Sequence, residues 1–127
     1  GLGVAAEAAR KDNEARKARC LAMRGEALAA LEPLGIRMHA KEEHTLPHVL
    51  NFCVPGLDSE AIMVALRGVA AVSNGSACTS QSYTPSHVLE AMGLPDEAIA
   101  GALRVSWSHL TPDVAWPLLA SQIDALR

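Results

Sequence analysis

Cys78 is the residue of this chain best suited to chemistry, and it lies in the segment SNGSACTSQS at 73–82. Its neighbours are small and rich in hydroxyls, so they offer hydrogen-bonding groups and backbone freedom but little surface for packing. A thiol on such a loop is a candidate nucleophile if a base or a positive charge stabilises its thiolate. No such group is adjacent in sequence. Activation must therefore come from elsewhere in the fold or from a substrate, and an exposed cysteine without a function is the alternative interpretation.

The remaining cysteines and the histidines indicate no further site. Cys53, between Phe52 and Val54, is predicted to be structural, and so is Cys20 beside Leu21, although it fits an apolar pattern less cleanly. The three cysteines form no CxxC pair, so we predict neither a disulfide framework nor a metal site. The histidines, which also lack metal-ligand spacing, are His39, His44, His48, His87 and His109. His87 follows the cysteine loop closely enough to contribute a proton, although an ordinary position on a helix surface is the favoured interpretation.

The elements that must position Cys78 are short strands interleaved with short helices. The chain has 127 residues, of which 50% are hydrophobic and 20% charged, as expected for one globular domain. Apolar alternation and turn signals predict strands at 35–40, 48–54, 69–73 and 103–107. Helices are predicted at 59–66 with Asp58 as N-cap, at 86–93 after Thr84 and Pro85, at 95–102, and after Thr111 and Pro112. The fold class is therefore α+β, a small three- to four-stranded sheet with helices mainly on one face.

A long, highly charged helix is predicted to precede this sheet. It runs from about Val4 to Leu31 and ends before Pro33 and Gly35. Its predicted apolar face consists of Ala18, Leu21, Ala22, Gly25, Leu28 and Ala29, which follow helical periodicity. The helix is too long and too charged for this core alone, so we expect it to contact something outside the chain.

Charge and composition exclude several classes of partner. The net charge of −3 and an aromatic content of 3% argue against direct nucleic-acid binding. No apolar run has the length of a membrane span and no signal-peptide pattern opens the chain, so a cytoplasmic location is expected. The first residue is Gly1, which indicates a piece of a longer polypeptide or a processed terminus.

Four segments together resemble a known family. LPHVLNFCVPGLDSEAIMVAL, VAAVSNGSACTS, TPSHVLEAMGLPDE and LRVSWSHLT occur in the order found in the C-terminal part of the cysteine desulfurases. These are pyridoxal-phosphate enzymes of aminotransferase class V, in the branch that includes NifS and IscS. The SNGSACTS block is similar to that of their long-loop branch. The resemblance implies the small domain of a fold-type I enzyme, with 1–34 as a linking helix, 35–127 as the small domain, and the catalytic-cysteine loop at about 73–84.

The resemblance also implies roles for two residues. Cys78 falls on the family's catalytic cysteine, which takes sulfur from L-cysteine as a persulfide, leaves L-alanine and delivers the sulfur to an acceptor protein. A loop suits this role because the thiol must reach both an enclosed pocket and a partner at the surface. Arg104 falls on the arginine that pairs with the substrate's α-carboxylate. On its strand it alternates to the face opposite Leu103 and Val105, which suits a cleft.

The cofactor and the partners are likewise implied by the family. Pyridoxal 5'-phosphate would be held by a large N-terminal domain, since Lys11, Lys17 and Lys41 do not lie in the family's lysine motif. The intact enzyme is then expected to be a homodimer, and this piece alone to be inactive. The sulfur acceptor stays open among iron–sulfur cluster assembly, tRNA thiolation and DNA phosphorothioation. Ser108 and His109 depart from the family's pattern, in which many relatives carry an arginine at the position of His109. The alternatives are a stand-alone persulfide carrier and a plain interaction domain; a carrier has no need of a carboxylate-binding Arg104.

Overall fold

A three-stranded antiparallel sheet is the centre of the structure, a computed structural model that describes residues 1–74 and 86–127. Its strands, in the spatial order β1-β2-β3, are β1 (Arg37–Met38), β2 (Val49–Cys53) and β3 (Ala102–Ser106). Asn51 pairs with Arg104 across β2 and β3, and Phe52 pairs with Leu103. The predicted α+β class and the small sheet are confirmed.

Five α-helices surround this sheet in the described part of the chain. They are α1 (Leu2–Leu31), α2 (Ser59–Ala65), α3 (His87–Ala91), α4 (Asp96–Ala100) and α5 (Trp116–Asp124), and two 3-10 helices span Glu32–Leu34 and Glu42–His44. Asp58 caps α2 as predicted, since its Oδ1 accepts the N–H groups of Glu60 at 2.8 Å and Ala61 at 3.2 Å. No helix within 1–74 and 86–127 has both the length and the apolar character needed to cross a bilayer.

The two faces of the sheet have different surroundings. On one face, buried side chains of β2 and β3 form a single core with α1, α2 and α5, as predicted for helices packed mainly on one face. This core includes Leu50, Phe52, Leu103, Val105, Met23, Leu31, Ile62, Leu119 and Ile123. On the second face, Leu89 of α3 and Ile99 of α4 cover only the Ala102 end of β3. Elsewhere on that face, Asn51, Arg104 and Ser106 are polar, and Val49 lies opposite Ser106.

The predicted apolar face of α1 is wrong. The buried residues of the helix are Cys20, Met23, Arg24, Ala27 and Leu31, whereas Ala18, Leu21, Ala22, Gly25 and Ala29 are exposed and Leu28 is partly buried. Alanines on several sides of the helix left its apolar stripe ambiguous. The large side chains of Met23 and Leu31 fill the core, and they determine which side faces the sheet.

Two predicted boundaries also differ from the structure. The last helix begins at Trp116 and not after Thr111, because the Thr111 Oγ1 accepts the N–H of Ser108 at 2.8 Å and so closes a turn. The strand predicted at 69–73 is reduced to one bridge, between Ser73 and Arg104. The N-cap predicted at Thr84 and Pro85 lies outside the described residues.

Buried Arg24 fastens α1 to the connection before β2. Its guanidinium donates to the Val49 carbonyl at 2.8 Å, the Thr45 hydroxyl at 3.0 Å and the Leu46 carbonyl at 3.3 Å. Trp107, just after β3, donates its indole N–H to the Cys20 carbonyl at 3.1 Å. These bonds hold the end of the β2–β3 pair at which Val49 lies opposite Ser106 against α1.

Candidate functional site

The uncovered part of the second sheet face, formed by Ser73, Asn51, Arg104 and Ser106, is called the open face below. Arg104 is exposed between buried Leu103 and Val105, so the predicted alternation is confirmed. Within 1–74 and 86–127 its guanidinium has no hydrogen bond and no ion pair. A guanidinium on a rigid strand that lacks an internal partner is suited to bind a carboxylate through two parallel charge-assisted bonds.

Arg104 is bonded through its backbone to Ser73, which precedes the candidate nucleophile Cys78 in the chain. Ser73 donates its N–H to the Arg104 carbonyl at 3.1 Å, and Arg104 donates its own N–H to the Ser73 carbonyl at 2.7 Å. Residues opposite each other in an antiparallel pair project to the same face, so Ser73 and Arg104 both belong to the open face. The segment that contains Cys78 therefore begins, five residues earlier, at a position bonded to Arg104.

Cys78 itself lies outside the described residues, so its predicted role rests on the sequence and on chain length. It follows Ser73 by five residues. Five residues span at most about 18 Å when fully extended. Covalent geometry alone therefore keeps the Cys78 backbone within that radius of the Ser73–Arg104 pair.

The sequence interpretation missed a side-chain pair next to Arg104. Nδ1 of His39 lies 2.5 Å from Oδ1 of Asn51, and His39 is only 8% exposed. The signal for Asn51 was present, because it alternates with Leu50 and Phe52 as Arg104 alternates with its own neighbours. The contact to His39 could not be anticipated, because it depends on the register of β2 with the chain after β1.

The two described cysteines are buried, as predicted for structural residues. Burial raises the pKa of the Cys53 thiol, and nearby Glu97 adds to this effect while Arg37 opposes it. Cys53 lines a cavity of about 250 Å³ together with Arg37 and Glu97. A thiol held in its protonated form is a poor nucleophile, so this cavity does not rival the open face.

The histidines are dispersed over the structure. His48 and His109 line a cavity of about 410 Å³ with Lys17 and Trp107, an arrangement that the sequence did not indicate. His87 is exposed at the first position of α3, and His44 is exposed beside Glu43. Among the described residues no group of three or more potential metal ligands converges.

The described lysines do not fit the task of holding pyridoxal phosphate beside Arg104. Lys11 and Lys17 lie on α1, which packs against the opposite face of the sheet, and Lys41 is exposed ahead of the 3-10 helix Glu42–His44. No hydrogen bond or ion pair in the described part of the chain joins any of the three to the open face. The described residues therefore offer groups that could bind a carboxylate and no lysine placed to attach this cofactor beside Arg104.

Solved structures of known proteins share this arrangement of helices and strands. No family model matches the chain. A NifS-like protein from Rickettsia africae superposes with a TM-score of 0.77 at 19% identity, over 99% of this chain and 33% of that one. DndA from Streptomyces lividans superposes with a TM-score of 0.63 at 34% identity, over 85% of this chain and 30% of that one. The fold is thus shared with about a third of a NifS-like protein.

Sequence comparison identifies relatives that are named cysteine desulfurases. The chain is 33% identical to the cysteine desulfurase IscS of Vibrio campbellii over 97% of its own length and 30% of that protein. It is 43% identical to a cysteine desulfurase of Gluconacetobacter diazotrophicus over 89% of its length and 29% of that protein. The chain belongs to the cysteine desulfurase family of NifS- and IscS-like proteins. It spans about a third of the length of the relatives that it matches.

Proposed function

We propose that this chain is the C-terminal part of a pyridoxal-phosphate-dependent cysteine desulfurase, with Cys78 as the sulfur-accepting nucleophile and Arg104 as the substrate-binding residue. The Cys78 thiolate attacks the sulfur of bound L-cysteine, an S–S bond forms, and the bond from that sulfur to Cβ breaks. The electron pair of the broken bond stays on Cβ, which takes up a proton and completes L-alanine. Cys78 then carries one additional sulfur as a persulfide, and no external oxidant or reductant is consumed.

The pairing of Ser73 with Arg104 is the observation that carries this proposal. It joins the carboxylate-binding candidate to the chain that leads to Cys78 through two backbone hydrogen bonds. A substrate whose α-carboxylate is bound at Arg104 presents its sulfur a few ångströms further on. That position lies well inside the radius of about 18 Å that chain length allows Cys78.

The remaining parts of the proposal concern what lies outside this chain. Pyridoxal phosphate would be held by a lysine-bearing large domain and would supply the electron sink for the reaction. Within the chain, 1–34 connects to that domain and 35–127 forms the small domain, although the second half of α1 also contributes to the small domain's core. The whole enzyme is proposed to be a cytoplasmic homodimer of the long-loop branch that passes the persulfide sulfur to an acceptor protein.

The test is Cys78→Ser in the full-length protein, with Cys53→Ala as the matched control. Alanine formation from L-cysteine is measured together with persulfide trapped on the protein. We expect Cys78→Ser to abolish both, because a hydroxyl at this position cannot accept sulfane sulfur, and Cys53→Ala to retain both. Unchanged desulfuration by Cys78→Ser contradicts the proposal. A wild-type protein that forms no alanine but accepts persulfide from a separate enzyme establishes the carrier instead.

A further inference from the structure

A row of polar side chains, His39 and Asn51, crosses the sheet next to the guanidinium of Arg104; it is called the polar row below. His39 donates its backbone N–H to the Asn51 carbonyl at 3.1 Å, so the hydrogen-bonding groups of Asn51 point toward the first strand. Those of Arg104 point toward Ser73. Asn51 and Arg104 therefore form a pair without backbone hydrogen bonds between them, the type whose Cα atoms approach to about 4.5 Å and whose side chains lie closest.

The imidazole of His39 determines how the Asn51 amide is oriented. Oδ1 of Asn51 has only lone pairs to offer, so the ring nitrogen 2.5 Å away, Nδ1, must carry the proton of that bond. Nε2 of His39 is buried without a partner among the described residues, which fits an unprotonated nitrogen. Reversing the amide would move the ring proton to Nε2, where it would be a buried donor without an acceptor.

Asn51 lies directly opposite Arg104, and with its Oδ1 bound to His39 the NH₂ group is the end of the amide left to bind a ligand there. Asn51 is half-buried, and its NH₂ group makes no hydrogen bond within 1–74 and 86–127. A carboxylate has about four lone-pair sites and a guanidinium engages two of them. An amide with only its donors exposed can satisfy a third.

We propose that Asn51 is a second carboxylate-binding residue and that His39 is the positioning residue that fixes its amide. This inference rests on the proposed function, since the carboxylate is that of L-cysteine. The NH₂ group of Asn51 and the guanidinium of Arg104 offer donors and no acceptor, so this pair favours a carboxylate over a carboxamide. It therefore determines specificity as well as affinity.

The test uses the full-length enzyme with Asn51→Asp, an isosteric change that keeps the acceptor for His39 and replaces the NH₂ donors by a negative oxygen. We expect KM for L-cysteine and the dissociation constant for L-alanine to rise roughly tenfold or more, with a much smaller change in kcat. Preference for L-cysteine over L-cysteinamide should fall by a similar factor. Asn13→Asp, the same chemical change on the exposed surface of α1, should leave all three quantities unchanged.

His39 variants test the positioning role separately. His39→Leu removes the donor to Asn51 and should raise KM, whereas His39→Asn supplies a new N–H donor and should restore most of the affinity. The inference is overturned if Asn51→Asp keeps KM and the cysteine-to-cysteinamide preference within twofold of wild type while Arg104→Gln raises KM. If the wild-type protein forms no alanine at all, the proposed function fails first and this inference fails with it.

Discussion

Replacing Arg104 by glutamine separates a substrate-binding role from a structural one. The side chain is exposed and has no internal partner in the described part of the chain, while the two bonds between Arg104 and Ser73 are made by the backbone. The substitution therefore leaves every described contact of the fold in place. We expect the free energy of unfolding to change by no more than about 0.5 kcal/mol.

The expected effect on catalysis is much larger. Arg104→Gln exchanges a bidentate, charge-assisted interaction with the substrate carboxylate for one neutral hydrogen bond. The loss is about 3 kcal/mol, or roughly 150-fold in kcat/KM. Most of it should appear in KM, because the carboxylate keeps its charge throughout the reaction and is bound alike in the ground and transition states.

The assay is alanine formation by the full-length protein over a titration of L-cysteine, with urea unfolding of the same preparations. Arg67→Gln is the matched control, since Arg67 is another exposed arginine, located after α2 and away from the open face. A wild-type KM in the Arg104 variant would refute the reasoning. Unfolding at markedly lower urea would equally refute it, because the side chain would then have a structural role.

Three further predictions follow from the same geometry. Ser73→Pro removes the N–H that donates to the Arg104 carbonyl at 3.1 Å, and it should lower kcat for alanine formation at least tenfold, because the Cys78 segment would no longer be held in place beside Arg104. Ser73→Ala keeps that bond, so equal rates in the two variants would contradict the prediction. Arg24→Met leaves the Val49 carbonyl without its donor and should cost about 3 kcal/mol in urea unfolding, against about 0.5 kcal/mol or less for the surface control Arg16→Met; a similar cost for both would contradict it. The isolated chain, given pyridoxal phosphate and L-cysteine, should form no alanine above a protein-free blank, because it lacks the attachment lysine.

The sheet and most helix positions could be predicted because their signals are local. Asp58 before an apolar helical run and the alternation around Arg104 each describe one element without reference to another. The buried side of α1 could not be predicted in this way, because alanines occupy several sides of the helix. The start of α5 was also missed, because Thr111 resembles an N-cap in sequence but its hydroxyl closes a turn with Ser108.

In the candidate site, too, only the features with a local signal could be predicted from the sequence. Arg104 could be singled out from its own strand, and the role proposed for it came from the family resemblance. The contribution of Asn51 depends on which residues of the other strands lie opposite it, and His39 is twelve positions away along the chain. Short-range patterns do not specify such register, so this part of the site became visible only in three dimensions.

The apolar core on one face of the sheet therefore fixes the register of β2 with β3, and with it the position of Asn51 opposite Arg104 on the other face. A slip of one residue between β2 and β3 would bring Leu50 or Phe52 beside Arg104 and turn Asn51 into the core. Leu50 and Phe52 are both 0% exposed, and burying each contributes about 2 kcal/mol, so such a slip would cost several kcal/mol. The spacing of the groups proposed to bind the substrate is thus maintained by side chains on the opposite face of the sheet. Substitutions that shift this register should impair substrate binding even when the polar row itself is intact.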